Sequence, residues 1–328
     1  MKAVFIDCFG SDLDLSLREV ADPAVPKGEQ VLVSVRAAGL NRADLLQARG
    51  LYPPPRGFSP NVPGLEFAGE IAAVGEQVLD WKIGDRVFGI TAGEAQAEYL
   101  LTDRSLVAKI PDNLSFSQAA AIPEAFITAY DALVTQCGMV SGDTVLIHAI
   151  GSGVGLAGLQ IAKAINCFVI GTSRTSDKIE RCKDLGLDLG LITGDPPFFS
   201  EKILNATAGT GSDIILDLVG AAYFEENIES LALRGRVILV GLTSGTRAEF
   251  DLSKVLRKRA MIIGTVLRAR STPEKAAATN SFVRDIIPHL ISGVIRPDLD
   301  SVFSADDVVN AYKYLGSNKT FGKVVIEF

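Results

Sequence analysis

The sequence predicts an α/β protein in which a doubly wound parallel sheet is joined to a β-rich domain. Short β-like runs fill the first 122 residues, strands and helices alternate from 123 to 265, and a glycine-rich turn follows the first strand of that second part. The 328 residues, 48% hydrophobic and 22% charged, are enough to build a large core. We therefore expect a β-rich domain formed by 1–122 and 266–328, and a parallel α/β domain over 123–265.

The β-rich domain is predicted from short runs separated by turn residues. These runs are KAVFID, EQVLVSVRAAG, GLEFAGEIAAVG, GDRVFGI, AEYLL and SLVAKIP. Helical spacing of apolar residues begins after Asn113, with Ser115 or Ser117 as the cap. After Leu267 the chain is helix-rich and closes with GKVVIEF, a strand that we expect to return to the β-rich domain.

The second part alternates strands and helices, as a parallel sheet with helical crossovers requires. The predicted strands are Thr144–Ala149, Cys167–Gly171, Leu189–Thr193, Asp213–Leu218, Arg236–Gly241 and Met261–Thr265. The helices between them include GLAGLQIAKAI, DKIERCKDLG, SEKILNATAG and FEENIESLAL. The last strand is apolar and lies at an open edge, so we expect it to pair with a second copy in a homodimer.

The glycine-rich turn has the composition of a dinucleotide site. Gly151, Gly153 and Gly155 carry no side chain that would hold a phosphate away from backbone N–H groups. A helix starting near Val154 directs the positive end of its dipole at the same point. We therefore predict that a nucleotide pyrophosphate binds there; the alternative is a tight turn that binds nothing.

The end of the next strand indicates which dinucleotide would bind. An NAD-selective site usually places Asp or Glu there, whereas this chain has Thr172, Ser173, Arg174, Thr175 and Lys178. Charge-assisted hydrogen bonds from cations favour a 2′-phosphate. The prediction is NADPH, and the alternative is a solvated loop with ordinary surface cations.

Charge and cysteine content exclude several other classes. The net charge of −7 is spread along the chain and the cations form no stripe, so nucleic acid is not expected as the main partner. Four cysteines stand far apart, which predicts neither a disulfide framework nor a zinc knuckle, and a reducing, cytoplasmic compartment is expected. The first ten residues alternate like a strand, and no run reaches eighteen apolar residues, so no membrane partner is expected.

Several longer motifs carry a family resemblance. In order they are NRADLLQARGLYPPP, VPGLEFAGEIAAVG, WKIGDRVFG, AAAIPEAFITAYDAL and LIHAIGSGVG. With them the chain resembles the medium-chain dehydrogenase/reductase superfamily, and within it the zinc-free, zeta-crystallin-like quinone oxidoreductase branch. The resemblance implies a GroES-like catalytic domain and a Rossmann domain that binds NADPH.

The resemblance also bears on metal binding. In the zinc-dependent members, a cysteine and a histidine hold the metal at positions that are Asn41 and Leu65 here, and neither of these is a plausible zinc ligand. The only histidines are His148 and His289, which we interpret as structural or surface residues. No metal is therefore expected.

By resemblance, Asn41 and Tyr52 line a cleft between the domains and act on the substrate oxygen, with Tyr52 packing on the following prolines as the alternative. The family's A-x-x-G-x-x-G motif reads Ala149, Ser152 and Gly155 here, and the serine is shared with a tumour-suppressor-inducible group. The residues expected to contact the cofactor are Thr128, Ala149, Gly151, Ser152, Gly153, Val154, Gly155, Ser173, Arg174, Lys178, Gly241, Leu242, Leu267, Arg268 and Lys323. For Lys323 a surface charge is the alternative. Thr193 aligns where that group has a tyrosine near the adenosine.

The expected reaction is hydride transfer from NADPH to a quinone without a metal, because an electron-poor acceptor needs no Lewis acid. Two alternatives stay open. One is a 2-alkenal or enoyl-thioester reductase, which also needs an acid placed at the α-carbon. The other is an NADPH-binding protein with little turnover.

Overall fold

The computed structural model describes residues 1–328, which divide into two compact units. The first unit comprises Met1–Ile127 and Leu267–Phe328, and the second comprises Thr128–Val266. The division falls inside the helix Pro123–Tyr130, five residues after the boundary expected from the sequence. The start of this helix belongs to the first unit because it is bonded to that unit's sheet.

Fifteen strands and eleven α-helices make up the two units. The strands are β1 Lys2–Cys8, β2 Asp14–Glu19, β3 Gln30–Leu40, β4 Glu66–Val74, β5 Arg86–Ile90, β6 Tyr99–Asp103, β7 Val107–Lys109, β8 Thr144–Ile147, β9 Phe168–Ser173, β10 Leu189–Ile192, β11 Ser212–Asp217, β12 Leu231–Leu239, β13 Met261–Gly264, β14 Leu299–Ser304 and β15 Lys323–Glu327. The helices are α1 Arg42–Ala48, α2 Phe116–Ala120, α3 Pro123–Tyr130, α4 Gly153–Ala164, α5 Ser176–Lys183, α6 Ser200–Ala206, α7 Phe224–Ser230, α8 Leu252–Lys258, α9 Thr272–Asp285, α10 Ile287–Ser292 and α11 Val308–Gly316.

The first unit is built on a seven-stranded sheet. Its order is β14-β15-β3-β4-β5-β7, and β6 pairs with β3, while β1 and β2 form a separate antiparallel pair. Along β3, alternate residues Val31, Val33 and Val35 enter the core, as expected for a strand with one buried face. The C-terminal strand β15 pairs antiparallel with β3, which confirms its predicted return to this unit.

The second unit holds a six-stranded parallel sheet in the order β10-β9-β8-β11-β12-β13. The chain order reverses between β8 and β11, and that reversal is where ligands bind in sheets of this type. All six predicted strands are present, so the predicted doubly wound α/β class is confirmed. Buried Leu146, Ile170 and Ile215 from three neighbouring strands share one core cluster.

Two strand ends differ from the sequence prediction for a backbone reason. β8 stops at Ile147 rather than Ala149, because Ala149 adopts a φ of +48°, which no strand accommodates. β12 begins at Leu231, five residues before the predicted start, and passes through an irregular register near Arg234, whose φ is +64°. Both deviations place a residue in the left-handed region, where composition alone does not predict a non-glycine residue.

The edge strand β13 is open, as predicted. It lies at one end of the sheet order, and Met261 and Ile262 are 50% and 41% exposed. No helix of the protein combines the length and hydropathy that a membrane crossing requires.

Candidate functional site

The glycine-rich turn lies between β8 and α4, at the reversal point of the sheet. A Cβ on Gly155 would lie 2.6 Å from the Ala149 carbonyl oxygen and 2.7 Å from that of Ile150, so only glycine fits. Ser152 is the N-cap of α4, and its hydroxyl accepts a hydrogen bond from Gly155 N at 3.2 Å. The helix starts at Gly153, one residue before the predicted position.

Three backbone N–H groups in this turn have no partner in the protein. They belong to Gly151, Gly153 and Val154, whereas Ser152 N donates to Ala149 O at 2.9 Å. Orphan donors at the start of a twelve-residue helix are the usual ligands of a phosphate. The turn therefore fits a pyrophosphate through its backbone.

The residues that follow β9 bring cations to the same turn. Lys178, in the first turn of α5, lies along Gly151, where a Cβ would meet its Cδ at 2.9 Å. Arg174 is exposed, and the Ser173 hydroxyl accepts a hydrogen bond from Thr175 N at 3.2 Å. The predicted Ser173, Arg174 and Lys178 thus lie at the carboxyl end of β9, with Lys178 against the glycine-rich turn.

A buried polar network lies behind this edge of the sheet. The two ring nitrogens of His148 bond the Thr172 hydroxyl at 2.8 Å and Asn227 Oδ1 at 2.6 Å, and Asn227 Nδ2 donates to Asp217 Oδ2 at 3.0 Å. Burial lowers the pKa of His148. This histidine is structural, as interpreted from the sequence, because both ring nitrogens are engaged and the residue is fully buried.

Tyr223 was not identified from the sequence. Its hydroxyl bonds the Thr193 hydroxyl at 2.7 Å, and its ring packs edge-on against His148 with centroids 4.9 Å apart. The resemblance led us to expect Thr193 where some relatives have a tyrosine, and here Thr193 contacts a phenol that comes from a different segment, Tyr223. Only the sheet order brings residues 193 and 223 together, so no local sequence signal marks this pair.

Asn41 in the first unit is held at both ends of its amide. Its Nδ2 donates to Glu66 Oε1 at 2.8 Å, and its Oδ1 accepts from Lys323 Nζ at 2.6 Å. Lys323 also donates to Leu40 O at 2.8 Å and forms an ion pair with Glu66 Oε1 at 2.5 Å. One N–H of the Asn41 amide therefore remains available to a ligand.

Lys323 is only 6% exposed, so the alternative of a surface charge is wrong. Three protein acceptors occupy the three donors of its ammonium group, which orients Asn41 and balances the charge of Glu66. A direct contact between Lys323 and the cofactor stays a prediction.

Two further acids surround Asn41. Asp44 is fully buried and accepts from Asn41 N at 2.7 Å and Gly64 N at 3.1 Å, and burial raises its pKa to about 6. Burial and the charge of Glu66 raise the pKa of Glu124 to about 8. Neither acid was identified as a site residue from the sequence. Glu124 lies within the motif AAAIPEAFITAYDAL, and a charged residue inside such an apolar run could have marked it as a candidate.

Arg268 holds the segment that carries Tyr52. Its guanidinium is buried and donates to Ala92 O at 2.8 Å, to Tyr52 O at 2.9 Å and to Gln47 Oε1. The guanidinium carbon lies 5.1 Å from the centre of the Tyr52 ring, a cation–π distance. Burial raises the pKa of the half-buried Tyr52 phenol. The structure thus gives Arg268 a holding role, and a cofactor contact from Arg268 or the buried Leu267 stays a prediction.

The remaining predicted residues lie at other points of the second unit. Gly241 and the half-exposed Leu242 follow β12, and a Cβ on Gly241 would lie 2.8 Å from Leu218 O. Thr128 is half-buried in α3.

No group of three or more His, Cys, Asp or Glu side chains is placed to hold a metal ion, and Leu65 is a buried apolar residue.

Comparison with known proteins assigns the family. A model of the alcohol dehydrogenase GroES-like domain matches residues 27–129, and one of the zinc-binding dehydrogenases matches 153–281. Human quinone oxidoreductase is 32% identical over 336 aligned positions, covering 99% of this chain and 97% of the human protein. The chain belongs to the medium-chain dehydrogenase/reductase superfamily, in its quinone oxidoreductase branch. It is an oxidoreductase of that superfamily.

Two solved structures of this superfamily have the same fold over their whole length. Mycobacterial Rv1454c, solved in complex with NADPH, is 28% identical with a TM-score of 0.90, and all of both chains is covered. The CurK enoyl reductase is 27% identical with a TM-score of 0.86, covering 99% of this chain and 98% of that one. Within this superfamily, the present oxidoreductase therefore has a quinone reductase as a relative by sequence and an enoyl reductase as a neighbour by fold.

Proposed function

We propose that this oxidoreductase is an NADPH-dependent quinone reductase that delivers hydride to a quinone without a metal. The observation that carries the proposal is the glycine-rich turn, with three unpartnered N–H groups and the Lys178 side chain against it. The 32% identity to human quinone oxidoreductase supports the choice of acceptor.

The residues of the second unit fit NADPH. The N–H groups of Gly151, Gly153 and Val154 would hold the pyrophosphate, and Arg174 with Lys178 would hold the 2′-phosphate. Neither β9 nor the two residues directly after it, Arg174 and Thr175, include a carboxylate that would repel that phosphate. Contacts from the other predicted cofactor residues are part of the same proposal.

The residues of the first unit would act on the acceptor. NADPH, when bound, supplies a hydride from its nicotinamide ring. Asn41 would orient the quinone through its remaining amide N–H, and Tyr52 would donate to the oxygen that gains charge. Because a quinone is already electron-poor, positioning and exclusion of water are the main tasks left to the protein.

A second candidate is reduction of an activated carbon–carbon double bond, in a 2-alkenal or an enoyl thioester. The raised pKa values of Glu124 and Tyr52 favour it, because alkene reduction needs an acid that is protonated at neutral pH. The fold neighbour CurK is an enoyl reductase. The third reading is a protein that binds NADPH with little turnover.

The three readings differ in a single assay. The purified protein is mixed with NADPH, and the loss of nicotinamide absorbance is followed with ortho- and para-quinones, alkenals and crotonyl thioesters. Quinone turnover supports the first reading, and alkenal or thioester turnover the second. Tight NADPH binding without turnover of any acceptor supports the third and contradicts both reductase proposals.

The cofactor preference is tested by mutation. Arg174→Asp combined with Lys178→Ala should reduce the preference for NADPH over NADH by about 10²- to 10⁴-fold, because two charge-assisted bonds are lost. Lys183→Ala, on the same helix but paired with Glu180, is the matched control and should leave the preference unchanged. An unchanged preference in the double variant would mean that other residues select the cofactor.

We also propose a homodimer formed by pairing of β13 with its copy across a two-fold axis. The strand is at the sheet edge and exposes Met261 and Ile262, and open edges of this kind pair readily. Light scattering after size exclusion should give twice the chain mass, and a purely monomeric profile would contradict the proposal.

All four cysteines are free, which is typical of the cytoplasm where we expect the protein to act.

A further inference from the structure

Glu124 is linked to the proposed substrate-orienting residue through a single carboxylate. It is the second residue of α3, and its backbone N–H donates to Glu66 Oε2 at 2.9 Å. The other oxygen of Glu66 accepts from Asn41 Nδ2 at 2.8 Å. The start of α3 is therefore fixed relative to the Asn41 amide.

The Glu124 carboxyl differs from the other acids of this cluster because it has no hydrogen-bond donor. Asp44 accepts two backbone N–H bonds, and Glu66 is bonded by Lys323, Asn41 and the Glu124 backbone. No protein group donates to the Glu124 carboxyl. The residue is half-buried, and its carboxyl oxygens keep some solvent exposure. An acid left open beside fully bonded neighbours is available to a ligand.

Charges of both signs act on this carboxyl. Those of Glu66 and Asp44 favour its protonated form, whereas those of Lys323 and Arg268 favour its ionised form. The phenol of Tyr52 and the buried ammonium group of Lys275 also lie within its electrostatic reach. Burial and Glu66 outweigh the cations and raise the pKa of Glu124 to about 8, so most of it carries a proton at neutral pH.

We propose that Glu124 is the proton donor of this site, giving its carboxyl proton to the acceptor after hydride has been added. The proposal rests on the proposed reductase function. Hydride from the nicotinamide coenzyme brings two electrons and one hydrogen to the quinone, which leaves an oxyanion. The O–H bond of Glu124 breaks, a new O–H bond forms on the oxyanion, and the electron pair stays on the carboxylate. Solvent water then reprotonates Glu124. For an activated alkene the new bond is a C–H bond at the α-carbon.

The test compares Glu124→Gln with Glu70→Gln. Glu70 is on the same strand as Glu66 but forms an exposed pair with Arg36, so it controls for loss of a carboxyl elsewhere in the first unit. Infrared difference spectra of the cofactor-free protein should show a carboxylic acid band that disappears as the pH rises through about 8. The band should persist in Glu70→Gln and be absent in Glu124→Gln. Asp44 should titrate separately, near pH 6.

Kinetics give the second measurement. In Glu124→Gln, kcat with a quinone and with an alkenal should fall about 10²-fold, the usual contribution of general acid catalysis, with the larger loss for the alkenal. Wild-type kcat should decline above about pH 8, and this decline should be absent in Glu124→Gln, while the Kd for NADPH stays within about twofold by fluorescence titration. Glu124→Asp keeps an acid on a shorter stem, so it should keep the alkaline decline at reduced kcat.

The outcomes separate the inference from the function on which it rests. If the wild type reduces no acceptor, both fail. If the wild type turns over and Glu124→Gln keeps its kcat and its pH profile, only the assignment of Glu124 is overturned. Absence of the titrating band in the wild type also overturns that assignment. Should Glu124→Gln fail to fold by circular dichroism, the wild-type spectra together with Glu124→Asp decide, and loss of the alkaline decline in Glu124→Asp contradicts the proposal.

Discussion

The two units differ in the kind of polar groups that they bury. The first contains a buried ion pair between Lys323 and Glu66, with two further acids nearby whose pKa values are raised by burial. In the second unit, the histidine at the centre of the buried network favours its neutral form, and backbone N–H groups remain free at the glycine-rich turn. In the proposed function, the backbone N–H groups and cations of the second unit would bind the phosphates of the cofactor, and the polar side chains of the first unit would act on the acceptor.

The largest expected effect is on stability, and it tests whether the ion pair between Lys323 and Glu66 is shielded from solvent. Lys323→Met removes the partner of buried Glu66 and should lower the free energy of unfolding by about 3–5 kcal/mol. Adding Glu66→Gln to that variant should restore part of the loss. The matched control is Arg36→Met, which breaks an exposed pair and should cost at most about 1 kcal/mol. Urea denaturation measures the free energy of unfolding of each variant. Equal losses in Lys323→Met and Arg36→Met would show that solvent screens the pair of Lys323 and Glu66.

A smaller effect is expected from the backbone of the second unit. Gly155→Ala places a Cβ against two carbonyl oxygens, so the turn must shift, at a cost of about 1–3 kcal/mol. The affinity for NADPH should fall at least about tenfold, because the orphan N–H groups move with the turn. Gly264→Ala, where a Cβ meets nothing within 4 Å, is the control. Calorimetric titration gives the affinities, and normal binding by Gly155→Ala would remove the turn from the site.

The helix cap separates stability from binding within the same turn. Ser152→Ala removes the acceptor for Gly155 N and should cost about 1 kcal/mol of stability. Ser152→Asp keeps a capping acceptor but adds a negative charge next to the bound phosphate, so stability should be retained while NADPH affinity falls. Thermal unfolding and fluorescence titration measure the two quantities. Equal NADPH affinity in the Asp variant and the wild type would place the phosphate elsewhere.

The smallest effect appears only in acid. Burial lowers the pKa of His148 in the folded state, so the unfolded chain binds this proton more tightly than the folded protein. Stability from this residue is therefore full above the ordinary histidine pKa near 6.5 and is lost as the pH falls below it. His148→Gln should flatten the pH dependence of the unfolding midpoint between about pH 7 and 5. An unchanged slope would assign the acid sensitivity to other groups.

Opposite signs of pH dependence sharpen the comparison between the units. Glu124 has a raised pKa, so the folded state holds its proton more tightly, and its contribution to stability declines as the pH rises toward 8. His148 acts in the other direction. The two contributions therefore change in opposite directions over overlapping pH ranges, that of Glu124 between about 4.5 and 8 and that of His148 below about 6.5.

Local pattern was sufficient for much of the second unit. The six strands and the glycine-rich turn were predicted because strand and helix periodicities and turn glycines are properties of neighbouring residues. The early end of β8 was not, because residue type does not predict that Ala149 adopts a φ of +48°. Even here, the contact between Thr193 and Tyr223 needed the strand order.

By itself, the sequence determined the fold class and the glycine-rich turn between β8 and α4. Only the tertiary structure decided what surrounds Asn41, since Lys323 lies 282 positions away in the chain and arrives through the antiparallel pairing of β15 with β3. Arg268 likewise donates to Gln47, which lies 221 positions away and is brought near it only by the fold. Buried ion pairs depend on which distant segments share a core, and residue type and local spacing do not encode that choice.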